Sequence, residues 1–288
     1  MKIIALLLIT LSLFGNETRQ LFQFDENISK KSMQNWLDGD ISFEPYKTNY
    51  LLPYGIANKK YSSRIPNVEY ANIEAEIQVS LKLQVHYDVL GLNEKYYVSY
   101  THQAFWQIYI NSSPFRDSVY NPEGFVIFPI ANQFSLFGLN SFKFALAHRS
   151  NGKPDTKEIV FNNETKLGNL SKSINYFYWT LSFKNETLIT DVTVWARIPE
   201  SAKTDDNPDM IDYTGYSSIK FRYFFNRNMI TFMSRGNLKT KKGAIELTYS
   251  HPLIHNNLFI KVFSGYVESL YTYKQNVSKF SIGFSFSN

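Results

Sequence analysis

Residues 73–87, IEAEIQVSLKLQVHY, alternate without a break: Ile73, Ala75, Ile77, Val79, Leu81, Leu83, Val85 and Tyr87 fall on one side, and Glu74, Glu76, Gln78, Ser80, Lys82, Gln84 and His86 on the other. A period of two is the signature of a β-strand, whose successive side chains point to opposite faces. Globular strands usually run about five or six residues, whereas a tilted membrane-spanning strand needs about 9–11 and often extends further. One long strand is compatible with a soluble hairpin as well as a membrane strand, so repetition decides. Stripes of the same kind recur at Tyr96–Val98–Tyr100, Trp106–Ile108–Ile110, Phe142–Phe144–Leu146, Phe177–Trp179–Leu181–Phe183 and Leu188 through Val192, Val194 and Ile198. They continue at Ile219–Phe225, Ile230–Phe232, Ile245–Tyr249, Leu258–Val262 and Phe280–Phe286, with a less regular segment near Phe125–Ile130.

These segments give about eleven strands. The faces opposite the apolar stripes carry Lys, Glu, Gln, Ser, Thr and Arg, which suits a membrane barrel with an apolar exterior and a polar lumen. A closed barrel leaves no unpaired backbone edge in lipid. Closure of a single bacterial chain in antiparallel fashion takes an even number of strands, so the expectation is an all-β, transmembrane, antiparallel up-and-down barrel of about twelve strands over residues 69–288. Met1–Phe14, MKIIALLLITLSLF, pairs one lysine with an apolar run too short to span a bilayer. Residues 1–15 are therefore read as a secretory signal with an uncertain cleavage site, the alternative being a buried N-terminal helix. Residues 16–68 hold three prolines and no sustained period, and are read as an N-terminal arm.

Composition narrows the chemistry. The 288 residues contain no cysteine, which excludes disulfides, thiol catalysis and thiolate metal sites. The net charge of +5 suits anionic partners such as lipid headgroups. The basic residues are scattered, without the clustered arginines and aromatics of a nucleic-acid surface, so no nucleic-acid partner is expected. The N-x-S/T triplets, such as Asn163–Thr165, are treated as chance occurrences.

The stretch Phe142–Lys153, FKFALAHRSNGK, raises a sharper question, because its apolar stripe ends in His148 and Ser150. Polar groups at the lipid side of a strand cost free energy unless they have partners or a task. In SKSINYFYWTLSF the apolar stripe from Phe177 to Phe183 likewise continues outward into Asn175 and Ser173. If the two consecutive strands pair, histidine, serine and asparagine converge outside the barrel at one rim. A serine activated by a histidine, with an amide holding the ring, is the chemistry of an acyl-transferring nucleophile. The same residues also suit a headgroup-level polar cluster in a loop.

HRSNG (148–152), SKSIN (171–175), NSSPFRDSVYNPE (111–123), DDNPD (205–209) and SGYVESLYTY (264–273), with PYKTNYLLPY (45–54), together resemble the outer membrane phospholipase A family from about residue 43 to the C-terminus. The resemblance implies a twelve-stranded outer-membrane barrel that hydrolyses phospholipid acyl esters and works as a calcium-dependent homodimer. It implies Ser150 as nucleophile, His148 as general base, Asn175 as the orienting amide and the Gly152 N–H at the oxyanion. It further implies calcium ligands from the Ser171 hydroxyl and Lys153 carbonyl of one protomer and the Ser112 carbonyl of the other, with Asp206 at a second calcium position. DDNPD also reads as a plain extracellular turn.

His102 stands on the outward stripe where the family carries glutamine, and is expected at the dimer interface or at headgroup level. Lys153 replaces an arginine of the family, Ile174 an aromatic residue, and the segment 152–171 is longer than usual. Two other classes stay open at this point: a non-catalytic pore or adhesin barrel, and a soluble exported β-sandwich.

Overall fold

The computed structural model describes residues 43–63, 68–131, 135–153, 170–201 and 205–287, with a few helical positions between 27 and 33 and a two-stranded pairing within 160–165. The chain divides into two compact units, 1–42 and 43–288. In the first, the described positions Asn27, Lys30, Lys31 and Met33 are helical. The expected signal segment, 1–15, lies outside the described residues.

The second unit is a closed antiparallel barrel of twelve long strands. They are β1 (Tyr50–Ala57), β2 (Ile73–Tyr87), β3 (Lys95–Trp106), β4 (Phe115–Pro129), β5 (Leu139–Ser150), β6 (Ser173–Asn185), β7 (Leu188–Arg197), β8 (Ser217–Phe225), β9 (Asn228–Asn237), β10 (Lys242–Pro252), β11 (Asn257–Gly265) and β12 (Val277–Ser285). Each pairs with its sequence neighbour, and β12 returns to pair with β1, so no long edge is left open. One short helix, α1 (Met210–Thr214), lies between β7 and β8.

Alternation places polar groups inside and apolar groups outside. On β2, Glu74, Glu76 and Ser80 are fully buried while Val79 and Val85 are about half exposed, at 49% and 53%. Val98, Leu146, Leu181, Val194, Ile245, Val262 and Phe280 continue the exposed apolar belt on other strands. A soluble sandwich would bury those faces instead; their exposure all round a closed barrel is the pattern of a lipid-facing wall. Among the described residues no helix is long and apolar enough to cross a membrane.

Two differences from the sequence expectation are instructive. The Trp106–Ile110 stripe is not a strand: β3 ends at Trp106, and residues 107–114 form a turn. Conversely, β1 lies within the stretch assigned to an arm, so the barrel begins near residue 50 and not near 69. Its alternation is broken by a register shift between Leu52 and Gly55, which leaves Pro53 and Tyr54 both exposed. Such a bulge hides a strand from any search by period.

The lumen is crossed by side chains. Arg116 reaches Glu74 at 2.7 Å and Glu268 at 3.2 Å, Lys279 reaches Glu74 at 2.8 Å and Glu268 at 3.1 Å, and Lys261 reaches Glu76 at 2.6 Å. Glu268 comes from the loop 266–276, whose Leu270, Ser269 and Tyr271 are buried. Tyr46 and Lys47, ahead of β1, meet Glu123 on β4. A cavity of about 580 Å³ remains between Arg149, Lys220, Arg235, Glu246 and neighbouring side chains.

Both chain ends of the barrel, Tyr50 and Ser285, pair with each other at one end. That end also has the two-residue turns at 186–187 and 226–227, while the longer connections 58–72, 151–172, 198–216 and 266–276 gather at the other. In outer-membrane barrels the longer loops are extracellular. His148, two residues before the end of β5, and Ser150, its last residue, sit at that outer end.

Candidate active site

β5 and β6 are hydrogen-bonded neighbours in a register that sets His148 opposite Asn175 and Ser150 opposite Ser173. Ala145 and Ala147 are buried on the inner face, and Arg149 lines the lumen cavity. By alternation His148 and Ser150 therefore face outward, following Leu146, which is 53% exposed. Both are half-buried.

His148 Nδ1 lies 2.7 Å from Asn175 Oδ1, and Asn175 Nδ2 donates to Glu200 Oε1 at 3.0 Å. A carboxylate only accepts, so Nδ2 belongs on the Glu200 side and Oδ1 on the imidazole side. The ring then donates from Nδ1 and keeps an accepting lone pair at Nε2. Ser150 is two residues further along the same face, and no hydrogen bond joins its hydroxyl to His148 among the described residues. Such contacts are often loose before substrate binds.

Gly152 has φ +59°, and a Cβ there would lie 2.8 Å from Tyr120 Cε2. Both the left-handed backbone and the close ring favour glycine. Tyr120 is opposite Ser150 on one side and His102 on the other, and its ring stacks on the His102 ring at 4.9 Å with planes 5° apart. His102, Tyr120 and Ser150 thus form one outward row, and among the described residues the buried His102 Nε2 has no hydrogen-bond partner.

Asn151 closes the loop that follows. It pairs with Lys172 through its N–H to the Lys172 carbonyl (3.1 Å) and through its Oδ1 from the Lys172 N–H (2.9 Å), and its Nδ2 donates to the Leu170 carbonyl (3.0 Å). The Lys153 N–H also donates to Asn151 Oδ1, at 3.4 Å, so both arms of the connection are tied to this one side chain. Burial pushes the Lys153 ammonium below its ordinary pKa, and that ammonium lies 5.0 Å from the Tyr271 ring centroid. Ser112 sits elsewhere, exposed on the turn between β3 and β4 with φ +62°. Asp206 belongs to the β7–β8 loop, which is fastened to β6 by the Ser173 N–H donating to Asn207 Oδ1 at 2.9 Å.

No group of three or more His, Asp or Glu gathers into a metal cluster among the described residues. Hydroxyl and carbonyl oxygens are hard donors, however, and calcium accepts them together with water. The Ser171 hydroxyl and the Lys153 carbonyl are oxygens of that kind, and their chemistry is compatible with such an ion.

Sequence reasoning missed Glu200, Tyr120 and Asn151. Tyr120 and Asn151 lie inside motifs quoted for other reasons, whereas Glu200 is 25 positions from Asn175 and carries no local signal.

The Phospholipase A1 family matches residues 26–286. Phospholipase A1 of Escherichia coli K12 is 30% identical over 253 residues, covering 85% of this chain and 82% of its own, and that of Salmonella typhimurium is 31% identical over 252 residues with the same coverage. Among solved structures, outer membrane phospholipase A from Escherichia coli superposes with a TM-score of 0.75 at 29% identity, over 86% of this chain and 99% of that one. The Salmonella typhi outer membrane phospholipase, a dimer with bound calcium, gives a TM-score of 0.76 at 29% identity, over 86% and 93%. With its twelve-stranded barrel and lipid-facing wall, the chain belongs to the phospholipase A1 family and is a phospholipid-hydrolysing enzyme of the bacterial outer membrane.

Proposed function

We propose that the hydrolysis is carried out by Ser150, His148 and Asn175 on the lipid-facing side of the barrel. The observation that carries this reading is the 2.7 Å contact between His148 Nδ1 and Asn175 Oδ1 at the outer rim. With Nδ1 donating, Nε2 takes the Ser150 proton as Oγ attacks an acyl ester carbonyl. The Gly152 N–H stabilises the oxyanion. His148 returns the proton to the departing lysophospholipid alcohol, and water releases the acyl group in a second round of the same steps. Because the site faces the bilayer, an sn-1 or sn-2 ester reaches Ser150 without leaving the membrane.

Ser171 and Lys153 of one protomer and Ser112 of the partner subunit would hold calcium, with Asp206 at a second position. When bound, the ion supplies positive charge beside the developing oxyanion. The exposed, left-handed Ser112 turn is able to present its carbonyl to a neighbour, and the unpartnered His102 Nε2 gives the outward face a polar group for a second copy to meet. Dimerisation would then control activity. In an intact outer membrane phospholipid is largely in the inner leaflet, and the enzyme would stay monomeric and silent until that asymmetry fails.

Two measurements test the ligand and oxyanion assignments. Ser171→Ala raises the calcium concentration for half-maximal fatty-acid release by about tenfold or more, since affinity at such sites follows ligand number; an unaltered calcium requirement removes Ser171 from the ligand set. Gly152→Ala lowers kcat about 10- to 100-fold by displacing a preorganised donor, whereas full activity would mean the oxyanion is held elsewhere. The rival pore reading finds no support in a lumen crossed by Arg116, Lys279, Lys261 and their carboxylates.

A further inference from the structure

Asn175 is able to hold the His148 ring in two ways, because its amide can turn over and offer either oxygen or NH2. Only one of them supports the transfer from Ser150. With Oδ1 towards Nδ1, the ring carries its proton on Nδ1 and keeps a lone pair on Nε2. With the amide reversed, the ring must accept at Nδ1, carry its proton on Nε2, and offer nothing to the serine. In the structure the choice is made by a third side chain, Glu200, whose Oε1 accepts from Asn175 Nδ2 at 3.0 Å.

We propose that Glu200 is a positioning residue of the hydrolytic site, fixing the His148 tautomer through Asn175 and making an amide, not a carboxylate, the fitting group at position 175. This inference rests on the assignment of Ser150, His148 and Asn175 above. Asn175 must accept from the imidazole and donate to Glu200, which a neutral amide does with its two ends. An aspartate at that position would bring a second carboxylate within hydrogen-bond distance of Glu200, and like charges so close resist joint ionisation.

Glu200 is held in place from both sides. The Ile198 N–H donates to the Asn175 carbonyl at 2.8 Å, so the chain leaving β7 is anchored to the residue that Glu200 serves. Arg197 binds Asp205 at 2.5 Å and the Asn207 carbonyl at 3.0 Å, and Asn207 Oδ1 accepts from the Ser173 N–H. The β7–β8 loop is thereby fastened to β6 at 173 and 175.

The test is a double-mutant cycle on the refolded full-length protein, read as kcat and KM for phospholipid in detergent micelles with calcium at alkaline pH, which favours two carboxylates over a pair that shares a proton. Glu200→Gln keeps an accepting oxygen and retains kcat within about threefold, whereas Glu200→Ala loses about tenfold or more in kcat with KM unaltered. In the Asn175→Asp background the effect of Glu200→Gln changes sign: Asn175→Asp alone is strongly impaired, and Asn175→Asp/Glu200→Gln recovers about tenfold.

Equal effects of Glu200→Gln in both backgrounds, or a Glu200→Ala variant as active as Glu200→Gln, overturn the proposal. Ser150→Ala is run alongside. If it retains activity, the underlying site assignment fails; if it is dead and the sign reversal is absent, only the role of Glu200 does.

Discussion

Ser150→Ala is expected to lower phospholipid hydrolysis by at least about 10⁴-fold, the scale on which loss of a serine nucleophile is felt when the rest of its site remains. The barrel should be indifferent to the change. Ser150 is a half-buried residue at the last position of β5, and its side chain makes no hydrogen bond among the described residues. Removing one hydroxyl there alters stability by no more than about 0.5 kcal/mol. The variant should therefore refold, migrate as a heat-modifiable barrel and unfold with the parent. His148→Ala should cost a similar factor, and the double variant little more, because the two act as a unit. An active Ser150→Ala barrel would remove the nucleophile assignment, and additive losses would separate the two residues.

The second large effect concerns stability. Arg116 is fully buried and donates to Glu74 at 2.9 and 2.7 Å, to Glu268 at 3.2 Å, to Ser269 Oγ at 2.9 Å and to Thr272 Oγ1 at 3.0 Å. Its guanidinium also lies 3.7 Å from the Tyr61 ring centroid and 4.6 Å from that of Phe105. It ties β4 to β2 and to the loop 266–276. Arg116→Leu leaves Glu74 and Glu268 with Lys279 as their remaining cation, and should destabilise the barrel by about 3–5 kcal/mol, the scale of breaking a buried pair from one side. Arg116→Leu/Glu74→Leu should be less damaging than Arg116→Leu alone, because an uncompensated buried charge is gone. Unfolding of the refolded variants in denaturant measures both; a single variant as stable as the parent would show that the lumen network is not what holds the outer loop in.

The pattern of apolar and polar positions revealed the wall of this protein better than its contents. β2 is legible because fifteen residues obey one period, and a closed barrel keeps that period in register with inside and outside. β1 is illegible because the shift at Leu52–Gly55 interrupts alternation where Pro53 stands. The approach of His148 to Asn175 could be anticipated, since two consecutive strands turn from apolar to polar at one rim, and neighbouring strands of a barrel pair. The partners of Glu74 and Arg116 could not, because they come from β2, β4, β12 and a loop whose meeting is fixed by closure and not by spacing. Glu200 reaches Asn175 from an irregular connection, and no periodicity reports on such contacts.

The most direct test of the central claim is to treat the refolded protein in micelles with a long-chain alkyl fluorophosphonate, with calcium and with chelator, and to locate the adduct by peptide mass spectrometry. One adduct is expected, on the peptide containing Ser150, formed with calcium and suppressed by chelation. An adduct on another residue, or continued hydrolysis by protein with Ser150 unmodified after full inactivation of its label-sensitive fraction, would contradict it.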